Sequence, residues 1–179
     1  AAAPYANHTI TRDEYGVPHI WGERDADTAF GLGYAHASDD WETIQTTLIA
    51  ARGQLARFQG PDAAPTDYIV RLLRIRELVA DRYATDLSAE TRAILEAYAA
   101  GITLSAAEKP MRVWGGALPV TGEDIVAGFV LRTPFMYGLD GDLAELFENE
   151  RQRNISMADT ETAFQFLEGQ RLPFGSNAF

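Results

Sequence analysis

Residues 7–48 decide how this chain folds, because the spacing of their apolar residues changes once, near Asp27. The stretch opens Asn7-His8-Thr9-Ile10-Thr11-Arg12, turns at Asp13-Glu14-Tyr15-Gly16 and resumes as Val17-Pro18-His19-Ile20-Trp21. Two short runs rich in Thr and Ile, set around a glycine-containing turn, predict a β-hairpin. Pro18 has no N–H to give to a ladder, so it belongs at a strand start or on an edge. From Asp27 onward Phe30, Gly33, Tyr34, Ala37, Trp41, Ile44 and Leu48 recur every three or four residues. That is the apolar stripe of one amphipathic helix. Gly31 and Gly33 interrupt it, each at about 1 kcal/mol relative to alanine. The close approach of a second backbone would explain both. Gly53 is placed to end the helix in a left-handed cap.

Further along, Tyr68, Ile69, Leu72, Leu73, Ile75 and Leu78 predict a second helix over Asp67–Ala80. Ser88 caps a third, with Leu95, Tyr98, Ala99 and Ile102 on one side. Residues 106–120 hold Pro110, Gly115, Gly116 and Pro119, which is loop chemistry. Thr121-Gly122-Glu123-Asp124 has the spacing of a capping box before the apolar residues Ile125, Phe129 and Val130. Pro134 should end or kink that helix. Two more helices are expected over residues 140–153 and 156–169, the first acidic early and arginine-bearing late, as the helix dipole favours. Residues 171–179 read as extended or irregular. The fold class is mostly α with a small β-hairpin. A two-stranded hairpin alone is marginal in water, so this one is expected to complete a sheet belonging to another polypeptide.

Composition narrows the functions. Of 179 residues, 46% are hydrophobic and 23% charged, ordinary globular proportions that allow a buried core. The net charge is −11 and no basic run occurs, so a phosphate backbone finds no matching surface and nucleic acid is not an expected partner. Lys109 is the one lysine among 15 basic residues; the arginine preference suits two-pronged ion pairs, although codon usage would produce the same bias. There are no cysteines, which removes disulfides, thiolate metal sites and cysteine nucleophiles. No apolar run is long enough to span a bilayer, and no membrane partner is expected. Ala1-Ala2-Ala3-Pro4 is compatible with the remnant of a cleaved export signal.

Chemistry-bearing residues are few. His8, His19 and His36 lack metal-like spacing and are expected to be structural histidines. Asp39 and Asp40 are adjacent on a helix, so they face different ways and do not form a carboxylate pair. Asp140, Asp142 and Glu145 cluster around Gly141; calcium takes several oxygens from such a loop, while acids at a helix start need no cation at all. Gly175-Ser176-Asn177 is the most informative tail. A serine hydroxyl is a weak nucleophile until a base takes its proton. A free N-terminal amine, with a reference pKa near 8, can be that base. Cutting the bond between Gly175 and Ser176 would supply it, and glycine leaves the carbonyl open to attack. The plain alternative is a flexible tail.

The segment Ile10-Thr11-Arg12-Asp13-Glu14-Tyr15-Gly16-Val17-Pro18-His19-Ile20 resembles the opening signature of the penicillin acylase family. Phe30-Gly31-Leu32-Gly33-Tyr34-Ala35-His36-Ala37-Ser38-Asp39-Asp40, Ala51-Arg52-Gly53-Gln54-Leu55-Ala56, Ala97-Tyr98-Ala99-Ala100-Gly101 and Gly175-Ser176-Asn177-Ala178-Phe179 follow in family order. The family often has Gln-Asp-Arg where this chain has Ser38-Asp39-Asp40. The Ala51–Ala56 block leans towards the branch that cleaves long-chain acyl amides, such as acyl-homoserine lactone and aculeacin acylases.

The resemblance implies a non-catalytic small (alpha) subunit over residues 1–175 and the start of a large (beta) catalytic subunit at 176–179. Together the two form the αββα sandwich of an N-terminal-nucleophile hydrolase. It implies autocatalytic cleavage at Gly175-Ser176, Ser176 as nucleophile, and oxyanion donors on the large subunit. Met136, Tyr137 and Leu139 take the place of the acyl-pocket residues, and Glu145 falls near a glutamate that helps hold a structural calcium. No cofactor is needed for catalysis. The expected substrate is a small N-acyl compound, the expected location periplasmic or secreted, and the chain by itself is expected to be inactive. Two competing readings are a helical module that binds a ligand or partner without catalysis, and a calcium-dependent structural protein.

Overall fold

The computed structural model describes residues 5, 7–109 and 112–139. Two strands, β1 (His8–Arg12) and β2 (Pro18–Gly22), pair antiparallel, with Ile10 opposite Ile20 and Arg12 opposite Pro18. The expected hairpin is present and Pro18 begins its second strand. Asp13 builds the turn: its carboxylate accepts from the Tyr15 and Val17 amides, both at 2.9 Å, and Gly16 takes the left-handed φ of 80°. Alternation sets the two faces. His8, Ile10, Pro18 and Ile20 are half-buried, while Thr9, Thr11, His19 and Trp21 face outward and are exposed.

The long apolar stripe that predicts one helix is divided in two, α1 (Asp25–Asp39) and α2 (Trp41–Ala51). Asp40 breaks it. Its backbone leaves the helical region, and its carboxylate accepts from the Thr43 amide at 3.2 Å as the N-cap of α2. A short acidic side chain that can bond nearby backbone competes with helix continuation, and the apolar period alone does not show this. The helical run ends as expected at Gly53, with φ of 64°. A short α3 (Ala56–Gln59) and a 3-10 turn at Pro61–Ala63 were not predicted. Asp67, read as a helix start, instead caps α3, accepting from the Leu55 and Ala56 amides at 2.7 and 3.0 Å.

The helix expected over Asp67–Ala80 is likewise two, α4 (Ala64–Leu72) and α5 (Ile75–Asp86), separated at Arg74, which is left-handed with φ of 51°. The bend lets Val70 on one side and Ile75 and Val79 on the other enter the same core. The Ser88 cap holds: α6 (Ala89–Glu108) starts with the Ser88 hydroxyl accepting from the Thr91 amide at 3.0 Å. Helix α6 reaches three residues, 106–108, into the segment read as loop. The capping box at Thr121 and Asp124 is present in both directions and opens α7 (Gly122–Met136). Pro134 sits in the last turn, and the helix ends two residues beyond it.

The main core gathers Trp41, Leu48, Ile49, Leu55, Val70, Ile75, Val79, Ile102 and Leu131 from α2 through α7. Helices α1 and α6 pack backbone to backbone. A Cβ on Gly33 would stand 2.9 Å from the Tyr98 carbonyl carbon and nearer still to its oxygen; one on Gly101 would meet the Phe30 carbonyl in the same way. That close approach accounts for Gly33. Gly31 lies under the hairpin instead, where a Cβ would stand 2.8 Å from the Ile20 side chain. The expected helices at 140–153 and 156–169 and the tail lie outside the described residues.

Candidate functional site

Helix α7 presents the substrate-contact candidates, and its first turns are firmly anchored. Arg52 reaches Asp124 with two prongs, Nε at 2.9 Å and Nη2 at 2.6 Å, and Arg76 adds a third bond at 2.9 Å. The Thr121 amide and hydroxyl donate to the same carboxylate at 3.0 and 2.9 Å. Asp124 is only 2% exposed. Burial by itself would raise its carboxyl pKa, but the Arg52 hydrogen bonds and charge, with Thr121, outweigh burial and hold it below the ordinary value. Arg52 also donates to the carbonyls of Gly116 and Pro119, fixing the loop before α7. Glu96 accepts from the Gly122 amide at 3.1 Å and from the Tyr83 hydroxyl at 2.8 Å. Desolvation, then the bond to Glu96, pushes the Tyr83 phenol well above its usual range.

The other end of α7 is uncovered. Met136 is 68% and Tyr137 85% exposed, and Leu139 is half-buried just past Gly138, whose φ is 90°. Phe129, 67% exposed, lies on the same side as Thr133, Met136 and Tyr137, at helical offsets of four, seven and eight residues. Together they make a stripe of apolar surface on a helix tip whose root is buried. From sequence Phe129 is one of the apolar residues of this helix, with no face assigned to it. Its spacing to Met136 was the available signal that it belongs to the exposed face. Gly175, Ser176 and Glu145 lie outside the described residues, as do Asp140 and Asp142.

The histidines are structural, as expected. His8 Nδ1 lies 2.8 Å from the Tyr5 carbonyl and its ring packs against Phe30. His19 Nε2 lies 3.2 Å from Asp13, and His36 Nδ1 lies 2.8 Å from the Tyr98 hydroxyl. Asp39 and Asp40 have separate tasks: Asp39 takes Arg12 in a two-pronged pair at 2.6 and 3.1 Å, while Asp40 caps α2. Ser38 accepts from Lys109, whose ammonium also stands 5.5 Å over the Tyr34 ring. Among the described residues no group of three or more histidines or acids is placed to hold a metal ion, and no helix is long and apolar enough to cross a membrane.

The described residues form a helical body with a two-stranded hairpin packed on α1 and an exposed apolar end on α7. The sequence matches the penicillin amidase family over residues 7–178. The chain belongs to that family. It is 38% identical over 93 residues to the penicillin acylase 2 proenzyme of Pseudomonas sp. (strain SE83), covering 52% of this chain and 12% of that protein. It is 30% identical over 189 residues to the acyl-homoserine lactone acylase PvdQ of Pseudomonas fluorescens (strain Pf0-1), covering 94% of this chain and 24% of that one. Its fold is similar to thermostable penicillin G acylase from Alcaligenes faecalis, with a TM-score of 0.58 over 90% of each chain at 20% identity. The chain thus spans between about an eighth and a quarter of the length of these two relatives.

Proposed function

We propose that this chain is the small-subunit portion of an acyl-amide hydrolase, matured by cleavage between Gly175 and Ser176. One observation carries the reading: the family match runs to residue 178 and so includes the Gly-Ser junction. In the maturation step the Ser176 hydroxyl attacks the Gly175 carbonyl, the peptide nitrogen leaves as the Ser176 α-amine, and water hydrolyses the resulting ester. In turnover the same hydroxyl attacks the substrate amide while the freed amine accepts its proton and returns it to the leaving amine. Water then releases the acyl group. No metal or organic cofactor enters these steps. The oxyanion donors belong to the large subunit, which makes that chain an obligatory partner and leaves residues 1–175 inactive alone.

Met136, Tyr137 and Leu139 contact the acyl group in this reading, supported by the exposed end of α7. The substrate is an N-acyl compound of the kind named for the relatives, a β-lactam side-chain amide or an acyl-homoserine lactone. Glu145 is the proposed contributor to a structural calcium, and the mature protein is periplasmic or secreted. In the sandwich the hairpin joins sheets supplied by the large subunit. Ser176→Ala in the longer precursor tests the reading: it should abolish both cleavage and hydrolysis. A precursor carrying Ser176→Ala that is still cleaved at this bond would overturn it.

A further inference from the structure

The outer side of α7 extends two turns beyond the residues assigned to the acyl group. Phe129, Thr133 and Met136 follow one another at offsets of four and three, so they stack along one side of the helix, with Tyr137 beside the last. Thr133 would break this row with a hydroxyl, but the hydroxyl donates back to the Phe129 carbonyl at 2.8 Å. Its proton is taken within the helix, and the row stays apolar. The two ends differ. Tyr137 ends in a hydroxyl, whereas the neighbours of Phe129 one turn towards the root are Ile125 and Val126, both half-buried against the core. Seven positions separate Phe129 from Met136, about 10 Å of helix axis. Phe129 is exposed while Gly128 and Leu131 beside it are buried, so it gives the described fold little packing. The salt bridges of Asp124 to Arg52 and Arg76 fix the root of the helix, and with it the position of the whole row.

We infer that Phe129 sets the acyl-chain length that this enzyme prefers. The amide carbonyl lies towards Tyr137, and a long straight chain runs past Met136 and Thr133 to end against Phe129. The inference rests on the acyl contacts proposed above and adds the residue that reads the far end of the chain, the direction of the chain, and the substrate class, N-acyl compounds with long unbranched chains. A short acyl group such as butanoyl touches the Tyr137 end and stops short of Phe129. A long one buries additional hydrocarbon against the ring, and apolar area removed from water is what distinguishes the two.

Hydrolysis of straight-chain N-acyl-homoserine lactones, butanoyl to dodecanoyl, by the matured two-chain protein tests this. Phe129→Ala should lower kcat/KM for the dodecanoyl member by about tenfold and leave the butanoyl member within about twofold. The loss should set in at a longer chain for Phe129→Ala than for Met136→Ala. An unchanged dodecanoyl rate overturns the inference. So does an equal loss at every chain length, or a several-fold poorer recovery of the two-chain protein, because Phe129 would then be a contact with the large subunit. A second measurement needs no turnover: calorimetric titration of the full-length protein with hexanoic and dodecanoic acids. Phe129→Ala should weaken dodecanoic acid by about tenfold and leave hexanoic acid unchanged; equal effects on the two acids overturn the inference. A protein that hydrolyses no lactone yet shows this split between the acids keeps the inference and counts against the proposed activity. One that hydrolyses the series with the same length profile in parent and variant does the reverse.

Discussion

Gly33→Ala sets two physical effects against each other at the crossing of α1 and α6. Alanine in a helix interior gains about 1 kcal/mol over glycine. The new methyl would stand 2.9 Å from the Tyr98 carbonyl carbon and 3.2 Å from the Ile102 nitrogen, both backbone atoms with no side-chain freedom to yield. Carbon pairs rest at roughly 3.5–4.0 Å, so the helices must separate by about 1 Å. A gap of that size removes a quarter to a half of the dispersion energy of the atoms lining it. Gly101, which faces the Phe30 carbonyl, would be pulled from its partner by the same shift. Overpacking of this kind costs about 1–3 kcal/mol, and rigid neighbours place this site near the top. The net loss is about 2 kcal/mol, or about 4–8 °C in melting temperature for a chain of this length. Circular dichroism melting of parent and variant measures it. Gly115→Ala is the control, since no atom lies within 4 Å of its Cβ position, and it should leave stability within about 0.5 kcal/mol. A Gly33→Ala protein that melts at or above the parent temperature would show that the helices do not depend on backbone contact here.

Arg52→Ala removes the two-pronged partner of the buried Asp124 carboxylate and leaves it Arg76 and Thr121, so it should cost about 3 kcal/mol in urea unfolding, the lower end for breaking a buried pair, with Arg52→Lys restoring only part because an ammonium lacks the two-pronged fork. Asp124 has a folded pKa below its unfolded value of about 3.9, so its stabilisation is fully present above that value and is lost as pH falls through the lower folded pKa. Acid unfolding of an Asp124→Asn protein should therefore lack a component, between about pH 4 and the folded pKa, that the parent shows. Tyr137→Ala should leave stability within about 0.5 kcal/mol, because the side chain is exposed. In the matured enzyme it should change kcat/KM between short and long acyl chains by about tenfold; an unchanged chain-length profile would remove Tyr137 from the acyl contacts.

The sequence announces single elements better than the breaks between them. The hairpin, the Ser88 cap, the Thr121 capping box and the Gly53 terminus were all readable, because each rests on local chemistry within four residues. The divisions at Asp40 and Arg74 were not, since the apolar spacing runs straight through both. Asp40 reveals itself only when its carboxylate turns back on Thr43, and Arg74 takes a left-handed conformation that no arginine advertises. The glycine spacing pointed to a backbone crossing, and Gly33 found one at Tyr98, but Gly31 serves the hairpin instead. Of the candidate site, Met136, Tyr137 and Leu139 follow from the family resemblance and not from their own spacing. What the residues themselves did not reveal is that a buried ionic cluster around Asp124 holds the helix bearing them. Its partner Arg52 is far away in sequence, and no local pattern connects the two.

That distance has a consequence for the order in which the chain can assemble. Arg52 and Asp124 are 72 positions apart, and the Gly116 and Pro119 carbonyls that Arg52 also holds are 64 and 67 positions away. As the polypeptide leaves the ribosome at about 5–20 residues per second, α1 and α2 emerge several seconds before any of these acceptors exists. The early helices must wait with an unmatched guanidinium on their surface. The loop and α7 can close over it only after α6 has been made, so this cluster is among the last native contacts of the described fold to form.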